Sequence, residues 1–550
     1  MSTQKRLKND ILYKHIEYTS LEDKILQTKV FNRLLFVTQN ALAYFAFPSI
    51  NTKRYTHSLG TMYMASHMFK NAMLNAEDNT RNKILKKLKK SVDQIIKDEE
   101  LNISIKTLNK YEDNSLYEYI VPLKSNSDKN IYLLILQALR IVGLLHDIGH
   151  FPFSHQVEYA LQKIYFSIEK RDTLSEKERD FKSFYEEVTN GEDKILHEAI
   201  GDNLIEILFS YEMQNKNEYT KLVSILVRNI LEEKTDQFFS YEVLHRFIDS
   251  TVDADRLDYV NRDMMASSYI SGANDFLRIT KQAVLIKQKD DFVFSFFDSE
   301  IIDIEHMLEL RFNLYKKVIY SHKIARTDAL LENVILYLAS NYFHDNTMVQ
   351  NELDSISMLW KFLDEPNEEK RLDIISQLDE NWMISLFKQE YFKIKYKQVH
   401  SFEDKKYLIS FEEVLFGKQN FTSLWKNLND LYNTLGFDKI ERYKFRESFG
   451  YVSEVKHNLL QSYLEEFCKK WEDEEHFLIY RIVSLDIGIY KNFELYDGES
   501  LIKLDEVSTL RKRLKKSILN TVPFYLYSTK EEICKDMKSE LKEILFKVFL

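Results

Sequence analysis

IYLLILQALRIVGLLHDIGHFPFSH, residues 131–155, is the stretch whose reading decides the fold. Its first half is apolar on nearly every side, a pattern a helix tolerates only when it is buried inside a larger body. The spacing predicts one buried helix ending near Gly149. Its second half gathers His146, Asp147, His150 and His155 in a chain with only 14 histidines. Adjacent side chains on a helix diverge by about 100°, so His146 and Asp147 share an ion only if it lies between their directions. Such a pair cannot close a site alone, and further ligands must come from elsewhere. The candidates are His57 in RYTHSLG and Asp253 or Asp255 in STVDADRLDY. Two imidazoles and two carboxylates suit a divalent ion (Mn, Mg, Fe, Ni or Zn), with positions left open for water and a substrate oxygen.

Outward from that stretch, eleven glycines and five prolines in 550 residues leave few of the residues that punctuate strands and turns. The expected fold is mainly α. Apolar residues at 44% suffice for a packed core, and the length exceeds one compact domain. Residues 1–75 are read as the N-terminal part of the core. Within them SLEDKILQTKVFNRLLFV opens on a serine cap, NALAYFAFPSINTKRY forms a loop, and THSLGTMYMASHMFKNAML has helical spacing. Residues 76–130 are rich in Lys, Asn and Asp and are read as a charged, partly helical insertion projecting from the body. Residues 131–344 form the main core, with strong helical periodicity from 245 to 340, interrupted by the charged run IEKRDTLSEKERDFKSFYEEVTNGEDK. Residues 345–550 form a smaller C-terminal helical and α+β lobe, in which FLIYRIVSL, NFELYD, LIKLDEV and PFYLYST lean to strand before a final helix, KEEICKDMKSELKEILFKVFL.

A net charge of −10 with an isoelectric point near 5.9 argues against a chain-wide binder of nucleic-acid backbone, and no interleaved basic and aromatic stripe occurs. Any polyanionic ligand must therefore be met locally. Two cysteines, Cys468 and Cys534, are too few for a disulfide framework and fit a reducing compartment. The first residues lack the apolar segment of a signal peptide, and no run of eighteen apolar residues occurs, so a cytoplasmic protein without membrane contact is expected.

RYTHSLG, HDIGHFPFSH and DADRLDYVNRD, each in a helical frame and in that order, resemble the HD-domain metal phosphohydrolases. More narrowly they resemble the deoxynucleoside triphosphate triphosphohydrolases, which include bacterial dGTPases and the sterile-alpha-motif/HD enzymes. The resemblance covers roughly residues 25–330 and the C-terminal lobe more loosely. It implies an HD-domain helical core, with His57, His146, Asp147 and Asp255 as metal ligands and Asp253 as the alternative for the last. It gives His155 with Glu158, and His197 in ILHEAIG, the role of proton transfer near the scissile phosphate, and His150 a contact to phosphate. The spacing of His155 and Glu158 also puts them on one helix face, where a carboxylate can hold an imidazole in one tautomer. Arg54, Arg256 and Lys323 match the basic residues that meet the triphosphate, Arg256 standing where relatives often carry Lys. Tyr259 and Tyr320 match aromatics that pack against deoxyribose, and Gln39 and Asp263 match residues that grip the 3′-hydroxyl.

The implied reaction converts a dNTP to deoxynucleoside and inorganic triphosphate, an activity whose uses would include depleting dNTPs against phage. Relatives form dimers, tetramers or hexamers, and several require a nucleotide at a second site, so a homo-oligomer and an activating nucleotide are expected. Two other readings stay open: an HD-type phosphodiesterase acting on a cyclic nucleotide or guanosine tetraphosphate, and a nucleotide sensor without turnover. Against the guanosine tetraphosphate reading, the His-Asp pair is followed by Ile148, Gly149 and His150 rather than acidic residues.

Overall fold

A computed structural model describes residues 6–191, 194–213, 217–270, 272–344, 355–445, 448–449, 452–483, 493–519 and 521–550. Its architecture is mainly α, as the scarcity of glycine and proline implies. Eight helices carry the argument: α1 (Arg54–Asn75), α2 (Asn126–Leu145), α3 (His155–Glu169), α4 (Leu196–Ile207), α5 (Ala254–Ala266), α6 (Ile301–Leu314), α7 (His322–His344) and α8 (Glu380–Lys395). The apolar run is α2, in which every residue from Asn130 to Leu145 is buried. It opens on Ser125, whose hydroxyl accepts from the Asp128 amide. It ends at Leu145, not near Gly149, with His146 as its C-cap. Residues 146–149 are a turn, so His146 and Asp147 escape the fixed divergence of a continuing helix. Helix α1 packs along α2, and α5 lies against α1, which brings the three sequence motifs side by side.

Several sequence expectations give way to tertiary packing. The first helix (Ser20–Leu26) is capped by Thr19, not by Ser20: Thr19 and Glu22 form a reciprocal capping box. The segment 76–130 does not project. Its helix Asp78–Asp98 buries Ile84, Leu85, Leu88 and Val92 and packs against α2, because its lysines occupy only the outer face. The charged run after α3 likewise becomes a helix, Glu176–Thr189, that buries Phe181, Phe184 and Tyr185. Residues 192 and 193 of that run lie outside the described residues.

Small antiparallel sheets complete the body. Strands β1 (Leu7–Asp10) and β2 (Lys14–Glu17) form a hairpin with Leu7 opposite Glu17. A second hairpin, β3 (Ala283–Gln288) with β4 (Asp291–Phe296), interrupts the stretch read as continuously helical. Its strand signal is the alternation of Phe292, Phe294 and Phe296, all buried. The C-terminal half holds the sheet β5 (Thr422–Ser423), β9 (Phe524–Ser528) and β6 (Leu478–Ile482), with β9 central, and the hairpin β7 (Glu494–Tyr496) with β8 (Leu501–Lys503). The last helix is Lys535–Phe549. These bear out the strand-leaning runs except the second half of LIKLDEV, where Leu504–Val507 is a helical turn; Ser484 and Leu485 of FLIYRIVSL and Asn492 of NFELYD lie outside the described residues, as do residues 345–354, where the lobe boundary was drawn. Cys468 is buried and Cys534 exposed, and neither is in a disulfide. Among the described residues no helix is long and apolar enough to cross a membrane.

Candidate active site

His57 leaves α1 one turn from its start, His146 and Asp147 sit on the turn after α2, and Asp255 lies in the first turn of α5. Packing of those three elements brings four donor atoms together. His57 Nε2 lies 2.8 Å from Asp255 Oδ1 and 3.5 Å from Asp147 Oδ2. His146 Nε2 lies 3.4 Å from Asp147 Oδ2 and 3.7 Å from Asp255 Oδ1. Ligands bound at about 2.0–2.2 Å to one ion stand roughly 3–3.5 Å apart, so the set has the separations of a coordination shell. The ring tautomers agree. His57 Nδ1 is 2.8 Å from Asp258 Oδ2 and His146 Nδ1 is 2.9 Å from the Gly143 carbonyl, so each Nδ1 donates and each Nε2 lone pair points inward. Both Nε2 atoms are buried without a hydrogen-bond partner. Lone pairs facing carboxylate oxygens at these distances repel unless a cation lies between them, and the residues therefore fit a divalent ion. Burial opposes protonation of His57, but a protonated ring would donate to the Asp255 and Asp258 carboxylates, and these raise it to about 10. Asp253 is not part of this set. It is the N-cap of α5, accepts from the Arg256 amide, and pairs with the Arg256 guanidinium.

Two glycines make the convergence possible. A Cβ on Gly60 would fall 1.9 Å from Asp258 Oδ1, and one on Gly149 would fall 2.0 Å from the His197 carbonyl oxygen. The first lets α5 press its carboxylate against α1; the second lets the turn lie on α4 and sets His150 beside His197. The turn is further held from two distant parts of the chain. Arg33 donates to the carbonyls of Ile148 (2.6 Å), His150 (2.8 Å) and Leu378 (3.2 Å). Glu380, at the start of α8, accepts from the amides of Thr38 (2.7 Å) and Phe153 (3.3 Å) and from the Thr38 hydroxyl. Phe153 and Ser154 both have positive φ, a strained path into α3 that these bonds stabilise.

Beside the four donors is a second cluster centred on Glu158. Its Oε1 lies 3.0 Å from His150 Nδ1, and its Oε2 lies 3.0 Å from His197 Nδ1 and 3.3 Å from His155 Nδ1. The expected His155–Glu158 pair is thus a carboxylate shared by three imidazoles. His150 and His197 stack at 3.9 Å, and His150 Nε2 reaches Asp147 Oδ1 at 3.2 Å, joining the clusters. Burial, with the Arg54 and His197 charges, pushes His150 down to about 3, so it is neutral. For His197 burial is outweighed by Glu158, which raises it. His155, with a side chain 46% exposed, is the imidazole that reaches solvent.

A cavity of about 880 Å³ opens on both clusters. Its walls include Gln39, Arg54, Arg256, Tyr259, Asp263 and Tyr320 among the residues singled out from sequence. Arg54 is bound to Asp147 (2.5 Å) and Ser154 (3.0 Å), and its remaining Nη2 is buried without a partner. Asp263 is held by Asn40 (2.8 Å) and Thr52 (3.0 Å), while Gln39 Oε1 is buried and unpaired. Lys323 is a correction: it is exposed and does not line the cavity, because it begins α7 on the helix's outer side. The cations that line it and that sequence reasoning missed include Arg311 on α6, bonded to the Tyr259 hydroxyl at 2.9 Å, Arg481 on β6, and Lys194. Asp258 was missed too, although its place three residues after Asp255 puts both on one helix face.

No family model matches the chain. It is 24% identical over 351 residues to an HD domain-containing protein of Acanthamoeba polyphaga mimivirus, covering 63% of this chain and 61% of that protein. It is 24% identical over 380 residues to the deoxynucleoside triphosphate triphosphohydrolase SAMHD1 homolog of Dictyostelium discoideum, covering 67% of this chain and 57% of that protein. The chain thus spans about six tenths of the length of these curated relatives. In fold it is similar to the crystal structure of a phosphohydrolase from Bacteroides thetaiotaomicron, with a TM-score of 0.54 at 16% identity over 96% of this chain and 100% of that one. At low identity, then, the chain is similar to proteins named as HD domain-containing and as SAMHD1 deoxynucleoside triphosphate triphosphohydrolases, and its ordered His and Asp motifs and helical fold are consistent with an HD-domain, dNTPase-like family.

Proposed function

We propose that the chain is a metal-dependent HD phosphohydrolase that converts a dNTP to deoxynucleoside and inorganic triphosphate. The observation that carries this reading is the convergence of His57, His146, Asp147 and Asp255 at the wall of a cavity that also contains the Glu158 cluster and Arg54. A divalent ion, when bound by those four residues, neutralises phosphoryl charge and lowers the pKa of water. Arg54 orients Asp147 through one Nη atom and offers the other to a phosphate oxygen. Arg256 and Arg311 extend the positive wall for the rest of the triphosphate. His155, steadied by Glu158, protonates the leaving 5′-oxygen, and His150 and His197 hold the carboxylate in place. Tyr259 and Tyr320 pack against the sugar, and Gln39 with Asp263 meets its 3′-hydroxyl. A homo-oligomeric, nucleotide-activated form belongs to the same proposal.

The test is metal analysis of the purified protein and release of triphosphate from the four dNTPs, each alone and in pairs, alongside a mass measurement of the assembly. His146→Ala and Asp147→Ala should lose both metal and hydrolysis while keeping the helical circular dichroism signal. Absence of triphosphate from every dNTP, or unchanged turnover in either variant, refutes the reading.

A further inference from the structure

On one wall of the cavity Tyr320, Ile324 and Asp328 follow one another at four-residue intervals along the entry to α7. Asp328 is 5% exposed, and its Oδ1 is buried without a hydrogen-bond partner. A carboxyl group in that condition costs several kcal/mol of desolvation unless something compensates it. The nearest cation does not. Arg481 gives its guanidinium to Glu332 (2.7 Å) and to Gln156 Oε1 (3.1 Å), and its carbon lies 5.7 Å from the Tyr159 ring centroid. Burial pushes Asp328 up to about 7, with Arg481 opposing and Glu332 adding to the rise. The cavity therefore contains an acidic side chain whose buried Oδ1 has no hydrogen-bond partner among the described residues.

The chemistry of its missing partner is constrained. A triphosphate oxygen is disfavoured whenever Asp328 is ionised, since two anions would then share a buried wall. A sugar hydroxyl has its own partners in Gln39 and Asp263 under the reading above. The remaining part of a dNTP is the base, and Asp328 lines the cavity together with two aromatic rings, Tyr159 and Tyr320, that offer a flat group something to stack on. We propose that Asp328 reads the base, accepting hydrogen bonds from the N–H edge of an amino-bearing base, guanine most fully. Guanine presents two parallel N–H donors to one carboxylate. Thymine presents a single N–H flanked by two carbonyl oxygens that a carboxylate repels. A buried acceptor left unpaired by the wrong ligand is a strong source of discrimination. This inference rests on the dNTP reading and deepens it.

The experiment compares kcat/KM for dGTP and dTTP in the wild type, Asp328→Asn and Asp328→Ser. The wild type should prefer dGTP by about tenfold or more. Asparagine, which offers one donor and one acceptor and so matches thymine, should cut that ratio at least tenfold by both slowing dGTP and quickening dTTP. Serine should reduce dGTP turnover without the gain for dTTP. Metal content should be unchanged, and the melting temperature equal or higher, since an uncompensated carboxyl has been removed. An unchanged dGTP/dTTP ratio in both variants, or a uniform loss across substrates with a lower melting temperature, overturns the inference while leaving the dNTP reading intact. If no dNTP yields triphosphate, the parent reading fails separately, and equilibrium dialysis of dGTP and dTTP against wild type and Asp328→Asn decides the inference: equal binding of the two nucleotides overturns it.

Discussion

Gly60→Ala puts the packing of α1 against α5 to a quantitative test. In an ordinary exposed helix this change is stabilising by about 1 kcal/mol, because glycine loses more backbone freedom on folding. Here the new Cβ would stand 1.9 Å from Asp258 Oδ1 and 2.8 Å from Arg262 Nη2. Ordinary contact needs about 3.5 Å, so the carboxylate must retreat by more than about 1 Å. It is not free to do so. Asp258 is fixed by the Tyr13 hydroxyl (2.8 Å), by Arg262 (2.7 and 3.0 Å) and by His57 Nδ1 (2.8 Å). Overpacking of this kind costs about 1–3 kcal/mol, more than the propensity gain, and the net change should be destabilising. Because the bond that sets the His57 tautomer is the one displaced, metal affinity should also fall by about 10–100-fold. Urea unfolding of the metal-free protein and titration with Mn²⁺ or Zn²⁺ measure the two effects independently. A Gly60→Ala protein that is more stable than wild type, or that binds metal as tightly, refutes the account of how α1 and α5 meet.

Glu380→Ala should unpin the 146–154 turn from the C-terminal half, costing about 2–3 kcal/mol in unfolding free energy and loosening metal binding; normal metal affinity would show the turn to be self-supporting. Glu158→Gln should lower the rate of hydrolysis by about a hundredfold or more with metal content retained, because His155, His150 and His197 lose their shared carboxylate; loss of metal instead would reassign Glu158 to the ion. Asp328 gives a pH signature. Its folded pKa of about 7 lies above the ordinary carboxylate value, so the folded state holds the extra proton and stability falls as pH rises from about 4 to 7. Asp328→Asn should therefore match wild type near pH 4 and exceed it by up to about 4 kcal/mol near pH 8, read from urea midpoints at both pH values; equal stability at pH 8 would contradict the burial of an uncompensated carboxyl.

The grouping of His57, His146, Asp147 and Asp255 was legible because each sits in a short motif with its own local reason: His57 one turn into a helix, the His146–Asp147 pair after an apolar run, Asp255 just inside a capped helix start. Lys323 failed because a basic residue in a plausible motif carries no information about which side of its helix faces the cavity. The β3–β4 hairpin was hidden because β3 opens on a continuous buried apolar run, Ala283, Val284 and Leu285, which carries no strand period. Charge density misled in 76–130, since an amphipathic helix with many lysines still has one face to bury.

By itself the sequence determined a helical protein, through its scarcity of glycine and proline and the apolar run of α2, and a set of His and Asp residues of metal-binding type. Only the tertiary structure decided which carboxylate of DADRLD joins the histidines, because Asp253 and Asp255 differ merely in whether they cap α5 or face α1. It also decided that Asp258, Arg311, Arg481, Arg33 and Glu380 belong to the site or its frame. Those residues act across separations of up to hundreds of positions, and local periodicity records which face of an element is buried but not which distant side chain meets it there.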